Sequence, residues 1–270
     1  MKIKLFCFFY NEAALLPYFL AHYRWVDVIH AIVSRSPDGT NEMLRRAQAI
    51  GNELRVPRQP RIEIEDWEFP DGKMNDFLKV AKLNEAITRS LDADWHLVVD
   101  ADELVWPDNI QHSTFNAQHP IQEFLKQVPA QDTVMLARMW NVFRHVTDSD
   151  LDPNQEPAWQ RRHGIADLAH PENAPYAKPC LTRPNRGFNY VPGSHYLEPN
   201  PKIQFSTQEF RGAHWQNADP SFCVERRIEG RRNRQSDVNK QHGLGCQHHF
   251  IREEDVRRLC REHENDPICF

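Results

Sequence analysis

No apolar run in this 270-residue chain exceeds six residues. The longest, Leu5-Phe6-Cys7-Phe8-Phe9-Tyr10, is far short of the ~20 residues that span a bilayer, which excludes a transmembrane helix. Met1-Lys2-Ile3-Lys4 imitates the start of a leader, but Asn11 and Glu12 interrupt the apolar stretch and no small-residue cleavage site follows. The expectation is a cytoplasmic protein, at most peripheral at the inner membrane face. Internal repeats, low-complexity tracts and cleavable linkers are also missing. The six cysteines (Cys7, Cys180, Cys223, Cys246, Cys260, Cys269) are scattered, which predicts reduced thiols and no disulfide framework. An excess of positive charge is missing too: 33 Lys and Arg face 38 Asp and Glu, which argues against broad nucleic-acid binding.

What is present suffices for a globular core. Hydrophobic residues make up 40%, with 15 Phe and 7 Trp, and the length is that of one or two domains. Arg outnumbers Lys 24 to 9, which suits bidentate contact with phosphates or carboxylates.

The first hundred residues alternate strand and helix patterns. Ile3–Phe9 reads as a strand, and Asn11 as the cap of a helix to Arg24 with Leu15, Leu16, Phe19, Leu20 and Tyr23 inward. Val26–Val33 reads as a second strand, Ser36-Pro37-Asp38-Gly39 as a turn, and Thr40 as the start of a helix towards Ile50. Arg61–Ile64 is a third strand. Met74–Leu91 is a helix with Phe77, Leu78, Ala81, Leu83, Ala86 and Ile87 inward. Trp95–Val99 is a fourth strand. This repetition predicts an α/β domain with a mainly parallel mixed sheet. The second half is less regular. Strands are expected at Thr133–Val146, Pro179–Thr182, Tyr190–Tyr196 and Lys202–Phe210, and an ordered loop or lid over 147–176. A basic helix runs from Pro220 to Arg234, and a last helix covers Arg252–Glu264. One compact unit is expected, with a nucleotide-binding half over 1–105 and an acceptor half over 106–270.

The feature richest in chemistry is Asp100-Ala101-Asp102-Glu103, placed where the fourth strand ends. Open α/β sheets bind ligands beyond the carboxyl ends of their strands. Two carboxylates on one side of a tight turn can hold a hard divalent cation, which in turn bridges a diphosphate. A solvated acidic turn is the plainer alternative.

Phe8-Phe9-Tyr10-Asn11-Glu12, with Leu15-Leu16-Pro17 and His22-Tyr23, resembles the opening strand and helix of family-2-type glycosyltransferases. Ser36-Pro37-Asp38-Gly39-Thr40 is similar to their S-x-D-G-T turn, and Lys82-Leu83-Asn84 to the basic-x-Asn on the helix before their metal-binding strand. Asp100-Ala101-Asp102-Glu103 resembles their D-x-D in the form of a bacterial subgroup. His214-Trp215, followed by Arg226-Arg227, resembles that subgroup's His-aromatic element and basic helix. The likeness covers the first ~105 residues and scattered points beyond; the ordered set is more specific than any member.

The resemblance implies a GT-A fold, Rossmann-like, that binds a nucleotide-sugar, a UDP-sugar first of all, with Mn²⁺ or Mg²⁺. Tyr10, Asn11 and Glu12 would sit by the nucleoside, Asp38 at the base pocket, and Lys82 and Asn84 near the diphosphate or sugar. Asp100 and Asp102 would serve the metal and ribose. The chain departs from the family at the tip of strand two, where Val33-Ser34 replaces the Asp that reads the base edge. His214 is the candidate third metal ligand, and Arg226, Arg227 and Arg231 the candidate diphosphate clamp. For an inverting displacement, His195 and Glu198 are the candidate bases, with Asp167 and Asp219 as rivals. A surface glycan or lipid-linked saccharide is the expected acceptor, with modified nucleic acid or protein as alternatives.

Two other readings compete. A sugar-phosphate nucleotidyltransferase also places acids at strand ends, but it usually begins with a Gly-rich phosphate loop, and Tyr10-Asn11-Glu12-Ala13 contains no glycine. A non-catalytic module would be stabilised by zinc through Cys246, His248, His249, Cys260, His263 and Cys269, whose Cys246-x-His248 and Cys260-x₂-His263 spacings come near structural zinc sites. Trp140, Phe143 and Trp159 could stack on a sugar or simply fill the core.

Overall fold

The computed structural model describes residues 1–53, 59–108, 118–166, 177–184 and 186–269. At the centre of the N-terminal half lies β1 (Ile3–Phe9), with all but one residue buried. Its side chains alternate between two layers. Ile3, Leu5, Cys7 and Phe9 enter the main core, while Phe6 enters a second cluster with Ile32, Val80, Leu83 and Val98. A strand covered on both faces needs apolar residues at successive positions, and this strand has them.

Two strands flank β1 in parallel, β2 (Val28–Val33) and β4 (Trp95–Val98). β3 (Arg61–Asp66) continues the parallel set beyond β2. On the other side β4 pairs antiparallel with β8 (Ala177–Thr182), and β8 with β6 (Val134–Phe143). β6 then pairs parallel with β9 (Phe210–Asn217), which pairs antiparallel with β5 (Glu103–Pro107). β7 (His163–Ala166) adds to β6. The strand order is β3-β2-β1-β4-β8-β6-β9-β5, a mixed α/β sheet whose first four strands form a parallel, Rossmann-like half. One sheet therefore runs through both halves of the chain.

Helices cover the parallel half. α1 (Leu16–His22) is entered through Pro17 and packs Leu16 and Phe19 into the main core. It begins later than the sequence predicts, because Asn11 takes a left-handed φ of 52° and the residues after it are bound to the next turn. α2 is Thr40–Glu53. α3 (Asp76–Arg89) is capped by Asn75, whose side chain accepts from the Phe77 and Leu78 amides, a contact worth ~1 kcal/mol. Its buried stripe is Asp76, Lys79, Val80, Leu83, Ala86 and Ile87. Phe77 and Leu78, expected inward, are each 39% exposed.

Other elements also differ from the sequence reading. The strand expected over 190–196 is reduced to a single bridge between Tyr190 and Leu197. The strand expected over 202–210 lies instead at β9, beginning where that one was to end. The basic helix starts at Pro220 as expected, runs as α5 (Pro220–Glu225), and then widens into a π-helix over Arg226–Arg231. Four further helices are α4 (Gln118–Lys126), α6 (Asp237–Gln241), α7 (Cys246–His249) and α8 (Glu253–Glu262). No helix among the described residues is long and apolar enough to cross a membrane.

Candidate active site

The acidic turn follows β4 directly, and the turn's Asp100 carbonyl accepts from the Glu103 amide at 3.0 Å. The turn is not solvated. Asp102 is 1% exposed and Glu103 2%. Register places them: β5 and β9 pair Glu103 with His214, and the Trp215 amide donates to the Asp102 carbonyl at 2.6 Å. His214 is thus a residue within a strand, and its Nε2 lies 2.9 Å from Asp102 Oδ2.

Buried acids require partners, and each has a basic one. Lys79, on the inward stripe of α3, donates to Asp100 Oδ1 at 2.8 Å. Lys178 of β8, fully buried, donates to Glu103 Oε2 and lies 3.8 Å from Asp100 Oδ2. Arg226, from the π-helix, donates to Asp102 Oδ2 and forks onto Glu12 with Nε to Oε2 at 2.9 Å and Nη2 to Oε1 at 2.8 Å. Burial alone would raise Asp100, but Lys79 and Lys178 outweigh it and hold the carboxyl well below the usual range. Arg226 and His214 do the same for Asp102. Burial raises Glu12 in spite of the Arg226 fork. Two of these partners, Lys79 and Lys178, escaped the sequence reading.

Beside the turn opens a cleft lined by Tyr10, Glu12, Phe69, Lys79, Asp100, Arg226, Gly230, Arg231 and Arg234 among others. Arg226 and Arg231 are five residues apart, and the π-helix brings both to this wall. Such widened turns recur at functional sites. The Arg234 guanidinium lies 3.2 Å above the centre of the Tyr10 ring and 5.7 Å from that of Phe69, a flat cation-on-aromatic platform.

The remaining expected residues have specific places. Asp38 shapes a loop: its carboxylate accepts from the Ala13 amide at 2.9 Å and from the Thr40 amide and hydroxyl at 3.0 and 2.6 Å. Ser36 Oγ accepts from the Asn11 amide and Thr40 Oγ1 from the Glu12 amide, so the S-x-D-G-T turn fixes the start of the β1–α1 loop. Asn11 Oδ1 is buried without a partner. The Ser34 hydroxyl, at the tip of β2, donates to the Trp67 carbonyl. Lys82 pairs with Glu65 and Glu85, away from the acids of the turn, and Asn84 clamps the backbone of Tyr190 in both directions. Arg227 donates to Asn217.

Of the candidate bases, His195 lies within electrostatic reach of Lys178, Asp100 and His214. Burial, reinforced by Lys178, lowers it to about 4 and keeps it neutral. Glu198 is exposed and accepts from Asn189 at 2.9 Å. Asp219 caps α5 and lies 3.9 Å from buried Arg161. Asp167 lies outside the described residues.

The Mn²⁺ or Mg²⁺ expected at Asp100, Asp102 and His214 does not fit this arrangement. Hard cations gather about six oxygen ligands. Among the described residues no three His, Cys, Asp or Glu side chains group as a metal site. The carboxylates are committed to Lys79, Lys178 and Arg226, and of the four acids only Asp102 leaves a buried oxygen, Oδ1, without a partner. Of the set expected to hold zinc, no three described side chains group as a metal site. Cys260 packs with Cys223, His263 binds Asp266 and stacks on Phe143, His249 binds the Leu244 carbonyl, and Cys269 binds the Arg162 carbonyl. The Cys246 side chain is outside the described set. Phe143 and Trp159 are taken up in packing, Trp159 against Trp106, while Trp140 lies under Arg211.

No family model and no curated protein matches the sequence. Among solved structures, the chain is similar to the crystal structure of UDP-glucose pyrophosphorylase complexed with UDP-glucose, at 10% identity and a TM-score of 0.31. The match covers 55% of this chain and 65% of that one, so this chain spans less than two thirds of the other's length.

Proposed function

We propose that this chain is a glycosyltransferase that moves a sugar from a nucleotide diphosphate donor, first of all a UDP-sugar, to a hydroxyl acceptor. The observation that carries the reading is the cleft at the carboxyl ends of β1 and β4, where an aromatic platform adjoins a set of buried basic groups. Such a cleft accepts a flat base at Tyr10 and Arg234 and a diphosphate beside Lys79, Arg226 and Arg231. Residues 1–105, together with the π-helix, would hold the donor, and 106–270 the acceptor, a glycan or lipid-linked saccharide.

In the transfer the acceptor oxygen attacks the anomeric carbon while the bond from that carbon to the diphosphate oxygen breaks. The electron pair of that bond ends on the leaving β-phosphate, and the basic wall offsets the charge that gathers there. The acceptor proton goes to His195. A neutral imidazole accepts it, and the anionic donor raises the ring's affinity for protons when it enters. The attack falls opposite the leaving group, so the reading is an inverting one. Asp102 fixes Arg226 and His214 for this work. No step passes through a divalent cation.

The test is product identity. Incubated with a panel of nucleotide-sugars without acceptor, the protein releases nucleoside diphosphate and free sugar slowly. Asp102→Asn, checked by circular dichroism for fold, lowers that release by about 10²-fold or more. Pyrophosphate-dependent formation of nucleoside triphosphate and sugar 1-phosphate would identify a sugar-phosphate nucleotidyltransferase instead.

A further inference from the structure

We infer that the cleft binds a nucleoside diphosphate without a divalent cation, the phosphates being neutralised by the chain's own Lys79, Arg226, Arg231 and Arg234. This inference rests on the nucleotide-sugar reading above and runs against the metal that the family resemblance implies.

Three observations lead to it. First, the ligands a cation would need are engaged. Asp100 holds Lys79 at 2.8 Å, Glu103 holds Lys178, and Asp102 Oδ2 holds Arg226 and faces His214 at 2.9 Å. A cation between Asp102 Oδ1 and Asp100 Oδ2, the two oxygens that accept no hydrogen bond among the described residues, would have Arg226, Lys79 and Lys178 beside it repelling like charge. Taking Asp100 Oδ1 as well would expel Lys79 from a buried pair and leave an uncompensated charge. Second, the cleft wall carries two carboxylates, Glu12 and Asp100, against four basic side chains, Lys79, Arg226, Arg231 and Arg234. Directly behind the wall Asp102 and Glu103 face Arg226 and Lys178, so over the whole cluster five basic groups stand against four acids, an excess of one positive charge. That excess is unfavourable to a dication and complementary to a diphosphate. Third, the Arg231 side chain faces the cleft with no hydrogen bond or ion pair among the described residues, its charge acting on Glu12, Asp100 and Asp102 from a distance. A partly buried guanidinium with its donors unspent suits the paired oxygens of a phosphate.

The basic groups also divide the work. Lys79 and Arg226 are already tied to Asp100, Asp102 and Glu12, and so are held in place before the ligand arrives. Arg231 and Arg234 lie on the same wall and close the charge balance from the C-terminal half.

The experiment uses the full chain with UDP, GDP and ADP as probes, each with EDTA and with added Mn²⁺ or Mg²⁺, followed by thermal shift and calorimetry. At least one nucleoside diphosphate raises the melting temperature equally well in EDTA and in Mn²⁺. Arg231→Ala stays folded without nucleotide, its melting temperature lowered by no more than a few °C, because the side chain donates no hydrogen bond among the described residues and only its charge near Glu12, Asp100 and Asp102 is lost. It binds the diphosphate about 10-fold or more weakly, and Arg231→Lys restores part of that affinity. Stabilisation that needs Mn²⁺ or Mg²⁺ overturns the inference and leaves the nucleotide-sugar reading intact. Binding in EDTA that Arg231→Ala leaves unchanged overturns the assignment of the basic wall. Absence of binding by all three diphosphates, with and without cation, overturns the inference and the nucleotide-sugar reading together.

Discussion

Lys178 lies in an apolar strand, Ala177–Thr182, with no acidic neighbour in sequence, yet it is the fully buried partner of Glu103. Nothing local marks it; only the β4–β8 and β6–β8 pairings carry it to the turn. His214 was legible because a histidine before an aromatic resembled a known element, and Asp100 and Asp102 because acids after an apolar strand are conspicuous. Lys82 drew attention by the same resemblance, yet its charge is spent on Glu65 and Glu85. Buried histidines make a separate prediction. His96, T-stacked on Phe6, is lowered by burial to about 4, and His248 by burial and by Arg231 to about 3. Unfolded histidines titrate near ~6.5, so between those values the unfolded chain binds more protons and stability falls as pH drops. Each contributes a loss on the order of 2 kcal/mol from pH 7 to pH 5. The depressed acids of the turn add nothing there, since their stabilisation is lost only at pH below ~4. Urea unfolding at the two pH values measures this. His96→Leu flattens the slope, and an unchanged slope would show that His96 does not titrate as a buried neutral ring.

Helix α3 shows how an element can be read correctly and still be turned the wrong way. Its span and cap follow from Asn75 and the apolar spacing, but choosing Phe77 and Leu78 as inward residues rotates the stripe away from Lys79. The helix instead buries Asp76, which exchanges hydrogen bonds with Asn239 of α6, and Lys79, which reaches Asp100. A polar contact to a distant segment decided the rotation, and hydropathy carries no record of it. The π-helix was equally hidden, since Arg226–Arg231 reads as ordinary basic helix. At the sheet's far side, β7 meets β6 so closely that glycine is required. A Cβ on Gly164 would stand 2.0 Å from the Asn141 carbonyl oxygen. Backbone on both sides leaves no rotamer to relieve it. Gly164→Ala therefore destabilises by about 1–3 kcal/mol, read as a lower denaturation midpoint with unchanged m-value. An unaltered midpoint would contradict the β6–β7 pairing.

Across the whole molecule, the parallel character of β1 to β4 was legible because each of these strands alternates with a helix in sequence, whereas their order β3-β2-β1-β4 comes from the structure. The second half was not, because β5, β6, β8 and β9 pair across long separations and interleave with irregular chain. Their pairing assembles the site: β9 brings His214 to the acidic turn, β8 brings Lys178, and the π-helix after α5 brings Arg226 and Arg231. A net charge of −5 conceals a local excess of positive charge in the cleft. The central claim is that this excess recognises the diphosphate of a nucleotide-sugar. Calorimetric titration with a nucleoside, its monophosphate and its diphosphate tests it most directly. The account predicts affinity rising about 10-fold or more at the second phosphate, a gain that Arg231→Ala removes. Equal affinity for all three, or a gain that survives Arg231→Ala, would contradict it.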